Sequence, residues 1–267
     1  MKKIVEFQDI NTNESLGYRE IDFKILDEKL TYHRDGNDAY KLRTLHVKLR
    51  NGKELNLVRG EWDEPDGDEI IEYCSQFYDC KVSKTEFEKL ENFKLYIDTE
   101  TTGLESTENG ITQLSILMEN EKGELVETFD EYIRPAASCI ITQTALEIQG
   151  ISRADLETDK YQEEKIVAAK LKKFLEKYQE YQLTIIGYNV DFDIDFLNSF
   201  LRRNNIKFDT TSYQKIDVLE IVRSYHLNMY NSLTNACEHF GINLENAHNS
   251  LADITATRYL YQELEGM

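Results

Sequence analysis

Two carboxylates at the end of an apolar strand pattern are well placed to do chemistry. In residues 93–103, apolar and polar side chains alternate with the period of a half-buried β-strand. Asp98 and Glu100 share a parity, so they point to the same side, about 7 Å apart along the strand. Two carboxylates aimed the same way repel each other unless a cation lies between them. Mg²⁺ prefers oxygen ligands of this kind. An isolated Asp-x-Glu is more often a solvated acidic turn, and a divalent metal site is the alternative that later stretches of the chain favour.

Two later stretches supply further acids and a base. Residues 187–196 lead from a predicted buried strand into a helix and carry three aspartates at alternate positions, Asp191, Asp193 and Asp195. One of the three could face the end of the strand that holds Asp98. His248 lies in a loop five residues before Asp253, which falls in the first turns of the last predicted helix. A histidine beside a fixed carboxylate suits a general base next to a metal ligand.

Residues 1–90 predict a separate small α+β domain. Runs of alternating apolar residues near 21–25, 45–49 and 55–57 indicate strands, and Asn51-Gly52 between the last two is a strong hairpin signal. Apolar residues at helical spacing between 66 and 78 predict one helix packed on this antiparallel meander. No cluster here suggests chemistry, and docking of a protein partner is one role open to this domain.

Residues 91–267 predict an α/β domain that positions the acids. Alternating patterns predict three strands, at the start of this domain, within 111–118 and within 125–133. These three strands would form a meander. Two more strands, at 183–188 and just before Asp217, alternate with helices. Three meandering strands followed by an αβαβα order predict a mixed five-stranded sheet with flanking helices.

The composition is that of a globular protein with a large excess of acidic residues. Hydrophobic residues make up 40%, and only 2 prolines and 12 glycines are present, which argues against long disordered linkers. No apolar run approaches the ~20 residues of a membrane span, and the N-terminus lacks the pattern of a signal peptide. Four scattered cysteines fit a reduced cytoplasmic protein. The net charge of -19 argues against a long basic channel that binds a polyanion. It is compatible with a protein that binds only the end of a nucleic-acid strand, through bound metal ions.

Three short motifs, in this order, resemble those of the DEDDh 3′–5′ exonucleases. They are Asp-Thr-Glu-Thr-Thr-Gly at 98–103, Asn189-x-x-Phe192-Asp193-x-x-Phe196, and His248-x4-Asp253. Two linking stretches are also similar to that family, Asp217-Val218-Leu219 and Asn231-Ser232-Leu233. Over about residues 95–264 the chain resembles the DnaQ-like group, which includes the proofreading ε subunit of DNA polymerase III and the PolC exonuclease domain. The resemblance implies a ribonuclease H-like fold.

The resemblance also implies roles for individual residues. Asp98, Glu100 and Asp253 would hold one divalent ion, Mg²⁺ or Mn²⁺, with Asp98 bridging to a second. Asp193 would contact the metals through water, and His248 would deprotonate the attacking water. Thr99 and Thr102 would lie beside the terminal nucleotide, and Gly103 and Asn189 would also bind the substrate.

The sequence departs from the family pattern at several positions. Gln149 stands where relatives often have a histidine, which would alter substrate contacts, and Tyr188 replaces a frequent histidine at the second motif. Asp191 and Asp195 are extra acids, for which helix capping or solvent exposure is the simpler role. Helix capping is also the simpler role for Asp217.

The leading hypothesis is a metal-dependent enzyme that removes nucleotides from the 3′ end of single-stranded nucleic acid, with DNA favoured and RNA compatible. One alternative is a nuclease-derived binding module without catalysis, which the five intact motif residues disfavour. Another is an accessory proofreading subunit that acts through a polymerase or other protein docked on residues 1–90. The acidic net charge favours this last alternative, because a partner could supply the basic grip on DNA.

Overall fold

The computed structural model of the 267-residue chain describes residues 2–35, 38–49, 52–62, 78–88, 90–226 and 232–266. The chain divides into two compact units, Met1–Glu91 and Asn92–Met267. Across the described ranges, every helix is too short or too polar to cross a membrane.

The first unit is a closed five-stranded barrel. Its strands are β1 (Lys2–Asp9), β2 (Ser15–Asp35), β3 (Asp38–Leu49), β4 (Glu54–Trp62) and β5 (Tyr78–Val82), in this order around the barrel. Neighbouring strands are antiparallel, except that β5 closes the barrel by pairing parallel to β1. The short helix α1 (Lys84–Glu88) follows β5. Alternate strand residues fill the interior, including Val5, Phe7, Ile21, Phe23, Val47 and Leu57.

The predicted meander forms part of this barrel. Its hairpin at 51–52 is confirmed, because β3 and β4 pair on either side of Gly52, whose φ of 86° suits glycine. The sequence does not predict barrel closure, because closure pairs β1 with β5 from opposite ends of the unit. Most of the helix predicted between 66 and 78 cannot be compared, because residues 66–77 lie outside the part of the chain that the structure describes. Tyr78 begins β5 instead of ending that helix.

The second unit is built on a six-stranded mixed sheet. Its strands in chain order are β6 (Asn92–Thr101), β7 (Ile111–Glu119), β8 (Leu125–Arg134), β9 (Gln162–Glu163), β10 (Gln182–Gly187) and β11 (Gln214–Asp217). β6, β7 and β8 form an antiparallel meander, while β10 pairs parallel to β6 and β11 parallel to β10. The spatial order is β11-β10-β6-β7-β8-β9. The catalytic candidates on β6 therefore lie in the interior of the sheet.

Helices cover both faces of this sheet. They are α2 (Gln143–Ile148), α3 (Glu164–Tyr178), α4 (Val190–Arg203), α5 (Val218–His226), α6 (Leu233–Phe240) and α7 (Ser250–Glu265). Apolar residues of α3 and α4 pack with Leu95 and Ile97 of β6 in one core. Residues of α5, α6 and α7 pack in a second core with Tyr96 of the same strand.

The predicted α/β fold with flanking helices is confirmed, and two short elements add to it. The prediction of five strands misses β9, because a two-residue strand carries no periodicity. It also misses α2, a six-residue helix whose N-terminus is capped by the Thr142 side chain. Both elements are too short to stand out from a loop in the sequence.

Candidate active site

Strand β6 divides its polar residues between the two faces of the sheet. Ile97 packs toward α3 and α4, whereas Tyr96 packs toward α7. Because side chains alternate along a strand, Asp98 and Glu100 lie on the α7 side and Thr99 on the α4 side. The predicted alternation is confirmed over most of this strand, where buried residues alternate with partly buried ones, and Tyr96 is the exception. Tyr96 is 0% exposed, and its hydroxyl donates to a buried glutamate of β7.

Helix α7 brings a third carboxylate to the pair on β6. One oxygen atom from each of Asp98, Glu100 and Asp253 lies within 4.8 Å of the other two. Oδ1 of Asp253 is buried and has no hydrogen-bond partner among the residues that the structure describes. Burying an unpaired polar atom destabilises a fold. A divalent cation would supply the missing partner and offset the repulsion among the three carboxylates, so these residues fit such an ion.

Asp193 reaches the same end of β6 from the opposite face. Its side chain on α4 is buried, and Oδ1 accepts hydrogen bonds from the backbone N–H and the hydroxyl of Thr99, both at 2.8 Å. Thr99 separates Asp98 from Glu100 in the sequence, so these two bonds hold the Asp193 carboxylate beside the cluster. Asp193 is outside the group of three converging oxygen atoms. Its contact with metals through water stays a prediction.

His248 lies in a loop with an unusual backbone. The φ angles of Asn246 and His248 are 59° and 68°, left-handed values that strain a non-glycine residue by about 1 kcal/mol or more. The backbone N–H of His248 donates to Oδ2 of Asp253 at 3.1 Å. The imidazole is exposed and lines, together with Glu100, a cavity of about 270 Å³. From this position a neutral imidazole can accept a proton from a water molecule at the carboxylates.

The start of α7 is anchored by polar contacts to β7 and β8. Nδ2 of Asn249 donates to Oε1 of Gln113 at 3.0 Å and to the hydroxyl of Tyr132 at 2.8 Å. The hydroxyls of Ser250 and Ser115 are 2.6 Å apart. An Asn before a helical pattern is a helix-capping signal, and Asn249 does cap α7. Its second role, tying the helix to β7 and β8, has no signal in the sequence.

Burial raises the pKa of all four carboxyl groups at the site, and repulsion by neighbouring carboxylates adds to the rise at Asp98 and Glu100. Burial, then the charges of Asp193, Asp253 and Glu100, raise the pKa of Asp98 well above its usual value. Burial and then repulsion from Asp253 and Asp193 raise the pKa of Glu100 to about 8. Burial raises the pKa of Asp193 to about 7, although the hydrogen bonds from Thr99 lower it. Burial also raises the pKa of Asp253. Perturbed groups clustered in this way are typical of functional sites.

The end of the first motif stabilises the turn after β6. Thr102 is fully buried. Its backbone N–H donates to the carbonyl oxygen of Gly110 at 2.8 Å, and its hydroxyl donates to the carbonyl oxygen of Ile140 at 2.6 Å. A Cβ on Gly103 would lie 2.5 Å from the side chain of Asn109. Glycine is therefore required at position 103 for close packing. Contacts of Thr102 and Gly103 with a nucleotide stay predictions.

Asn189 and Asp217 form the junction where β10 ends and α4 begins. Asn189 has a φ of 64°, and its backbone N–H donates to Oδ1 of Asp217 at 2.8 Å. The same oxygen accepts from the N–H of Leu219 at 3.0 Å, so the predicted capping role of Asp217 is confirmed. A Cβ on Gly187 would lie 2.9 Å from the carbonyl oxygen of Ile97, so glycine permits the close approach of β10 to β6. Contact of Asn189 with substrate stays a prediction.

Two departures from the family motifs make structural contacts, and a third is exposed to solvent. Oε1 of Gln149 accepts from the hydroxyl of Thr112, and Nε2 donates to the carbonyl of Thr101, both at 2.7 Å. Gln149 thus ties the end of α2 to β6 and β7. Asp191 forms an ion pair with an exposed lysine of β11, and Asp195 is exposed. Neither aspartate belongs to the group of converging carboxylates.

Comparison with protein families agrees with this geometry. The family model described as RNase_T, Exonuclease, matches residues 95–261. The chain belongs to this exonuclease family. The predicted resemblance to DnaQ-like 3′–5′ exonucleases is confirmed, and so is the classification as an enzyme of the 3′–5′ exonuclease class.

Individual relatives are longer proteins. The chain is 30% identical over 223 residues to the PolC-type DNA polymerase III of Latilactobacillus sakei, covering 82% of this chain and 13% of the polymerase. It is 29% identical over 229 residues to that of Oceanobacillus iheyensis, covering 85% of this chain and 14% of the polymerase. Both alignments are longer than the second unit, so they include part of the first.

A solved structure shares the fold of the second unit. E. coli Exonuclease I in complex with a dT13 oligonucleotide aligns with a TM-score of 0.57 and 22% identity, over 65% of this chain and 41% of that chain. At this level of identity the likeness shows the fold alone. It confirms the predicted ribonuclease H-like fold.

Proposed function

We propose that this chain hydrolyses phosphodiester bonds at the 3′ end of single-stranded nucleic acid and releases nucleoside monophosphates, with DNA favoured. The observation that carries this proposal is the buried Oδ1 of Asp253, which lacks a hydrogen-bond partner among the described residues and lies beside two more carboxylates. Membership of an exonuclease family and a fold shared with an oligonucleotide-bound Exonuclease I support it.

The proposed reaction uses two divalent ions, Mg²⁺ or Mn²⁺, which when bound would stabilise the attacking and leaving oxygens. Asp98, Glu100 and Asp253 would hold these ions. His248 takes the proton of the attacking water, because its exposed imidazole lines the cavity that Glu100 also lines. Asp193, fixed by its two hydrogen bonds from β6, orients water beside the cluster.

The test is degradation of end-labelled strands by the purified chain. Single strands of DNA and RNA with the same sequence and a 5′ label are incubated with Mg²⁺, with Mn²⁺ or with EDTA. We expect shortening from the 3′ end with release of mononucleotides, faster on DNA, and no product in EDTA.

A pair of matched variants controls this experiment. Asp253→Ala should remove activity, whereas Asp195→Ala, at an exposed position of α4, should keep the parental rate. Hydrolysis that persists in EDTA, or that is equal in the two variants, contradicts the proposal.

A proofreading context is a second proposal, supported by the similarity to PolC-type polymerases across the second unit and part of the first. In that context a polymerase would present the 3′ end to this chain. Addition of a PolC-type polymerase should then raise the rate on a primer with a mismatched 3′ end. An unchanged rate and no complex in gel filtration would contradict this proposal.

A further inference from the structure

Strands β2, β3 and β4 of the first unit carry a cationic and aromatic face that the proposed hydrolysis does not use. Inside the barrel, the buried residues Leu45 and Leu57 stand opposite each other on β3 and β4. Two residues further along, Arg43 stands opposite Arg59, on the same side of the sheet. The row of side chains that fills the barrel therefore continues into Arg43 and Lys41 on β3 and into Arg59 on β4, where Glu61 follows opposite Lys41.

Strand β2 adds apolar and aromatic surface to the same side. Leu30 is paired with Arg43, and Tyr32 with Lys41. Tyr32 is 73% exposed, and Nζ of Lys41 lies 5.6 Å from the centroid of its ring. We call this surface the ribbon face, defined by five residues, Leu30, Tyr32, Lys41, Arg43 and Arg59.

The two arginines of the ribbon face point to an anionic ligand. Like charges directly opposite each other on neighbouring strands destabilise a sheet. Glu28 forms an ion pair with Arg43 and offsets one of the two charges. Nε of Arg59 is buried and finds no hydrogen-bond acceptor among the described residues. A bound anion would supply that acceptor and reduce the repulsion between the arginines.

The charge distribution identifies the kind of anion. Residues 38–62, which form β3, β4 and their turn, contain six basic and three acidic residues. Residues 92–267 contain 29 acidic and 16 basic residues, so the nuclease unit repels a polyanion except through bound cations. Residues 1–91 as a whole contain 21 acidic and 15 basic residues, so the positive charge is local to β3 and β4, where it would supply the attraction that the nuclease unit lacks.

We propose that the ribbon face binds single-stranded nucleic acid, with phosphates on Lys41, Arg43 and Arg59 and a base stacked on Tyr32. The nature of the ligand rests on the proposed exonuclease function, because the strand bound is the substrate. Lys41 and Arg43 are about 7 Å apart along β3, on one side of the sheet. An exposed aromatic ring beside such a row of cations is the arrangement that holds single strands without reading their sequence.

The experiment measures binding of a fluorescent single strand of thymidines to the full chain in EDTA, where the proposed hydrolysis does not occur. A strand of ~30 nucleotides is longer than the ~4–16 nucleotides that a small barrel module covers. The double variant Lys41→Glu/Arg43→Glu should weaken binding about tenfold or more. It should also reduce the slope of log K against log salt by about 1.4, since each phosphate contact contributes about 0.7 on a single strand.

A matched control lies on the other side of the same strands. Lys29 and Lys48 are exposed. Lys29 is next to Leu30 of the ribbon face and Lys48 is next to Val47 of the barrel core, so both side chains point to the opposite side of the sheet. The variant Lys29→Glu/Lys48→Glu changes the net charge by the same amount and should leave affinity within about twofold. Tyr32→Ala removes a ring that is 73% exposed, so the fold is kept, and it should weaken binding about fivefold or more. Thermal midpoints verify folding of each variant.

Three results would overturn the proposal: equal weakening by the two double variants, unchanged affinity of Tyr32→Ala, or no binding of the strand by the parent chain. The last result would leave the ribbon face to a protein partner. Cleavage of a trinucleotide by the parent chain with Mg²⁺ is measured separately and reports on the nuclease site alone. Failure of the ribbon-face proposal is therefore distinguishable from failure of the proposed function.

Discussion

Neutralising Glu100 tests whether the carboxylate cluster requires a cation. Without metal, burial and the neighbouring aspartates raise the pKa of Glu100 from 4.5 to about 8 in the folded chain. The carboxyl group of Glu100 therefore holds its proton more tightly in the folded protein than in the unfolded chain. The resulting loss of stability is absent below the unfolded pKa, grows as pH rises and is complete above the folded pKa.

The size of the effect follows from the two pKa values. Ionisation of Glu100 should destabilise the metal-free fold by about 1 kcal/mol at pH 5 and by up to about 3 kcal/mol at pH 7. Glu100→Gln has no such proton to lose, so in EDTA it should be more stable than the parent, and the gain should increase with pH. For a unit of this size, 3 kcal/mol corresponds to a rise of roughly 6–12 °C in Tm. Mg²⁺ should narrow or reverse the difference, because a bound cation stabilises the parent by mass action.

The assay is thermal unfolding of the parent and of Glu100→Gln in EDTA and in Mg²⁺, at both pH values. Glu108→Gln is the matched control, since Glu108 is an exposed glutamate of the same unit. It should show neither the gain in EDTA nor the pH dependence. A Glu100→Gln protein that is less stable than the parent in EDTA at pH 7 would refute the argument. A gain that does not change with pH would refute it equally.

Four further predictions concern the same unit. Asp98→Ala should abolish hydrolysis and leave the metal-free protein folded or slightly more stable, because its carboxylate is repelled by its neighbours; a lower Tm in EDTA would count against this. His248→Ala should lower kcat by ~10²-fold or more while metal affinity, measured by calorimetry, changes little; much weaker metal binding would identify a ligand instead of a base. Asp193→Asn should be nearly inactive on a strand that Asp191→Asn cleaves at the parental rate, and the reverse ranking would show that the register of the second motif is wrong. A fragment of residues 92–267 should stay folded by circular dichroism and cleave short oligonucleotides, because all the converging carboxylates lie within it; an insoluble fragment would contradict a domain boundary near residue 91.

Features that depend on local sequence were predictable. The alternation of residues on β6 is sufficient to place Asp98 and Glu100 on one side, and the structure brings their oxygen atoms together. The Gly52 hairpin and the capping of α5 by Asp217 also follow from residues within a few positions of each other. The same alternation misleads at Tyr96, whose polar hydroxyl suggests solvent although its ring is buried against α7.

Features that depend on distant segments were not predictable from patterns. Barrel closure needs β1 beside β5, which no short-range signal specifies. The three alternating aspartates of the second motif look equivalent in the sequence, and only the family resemblance selects Asp193. In the structure that choice has a physical basis, because Asp193 alone of the three is buried and hydrogen-bonded to Thr99, 94 positions away.

The two oxygens of Asp253 couple the proposed base to the proposed metal site. Oδ2 accepts the backbone N–H of His248, while Oδ1 is buried and unpaired among the described residues. The left-handed backbone of His248 persists only if its surroundings hold it in place, and that hydrogen bond is one of the contacts that do so. A cation bound to Oδ1 would fix the carboxylate from its other side and thereby the loop that Oδ2 holds. Metal binding would therefore fix the backbone that carries the proposed base as well as the proposed ligands.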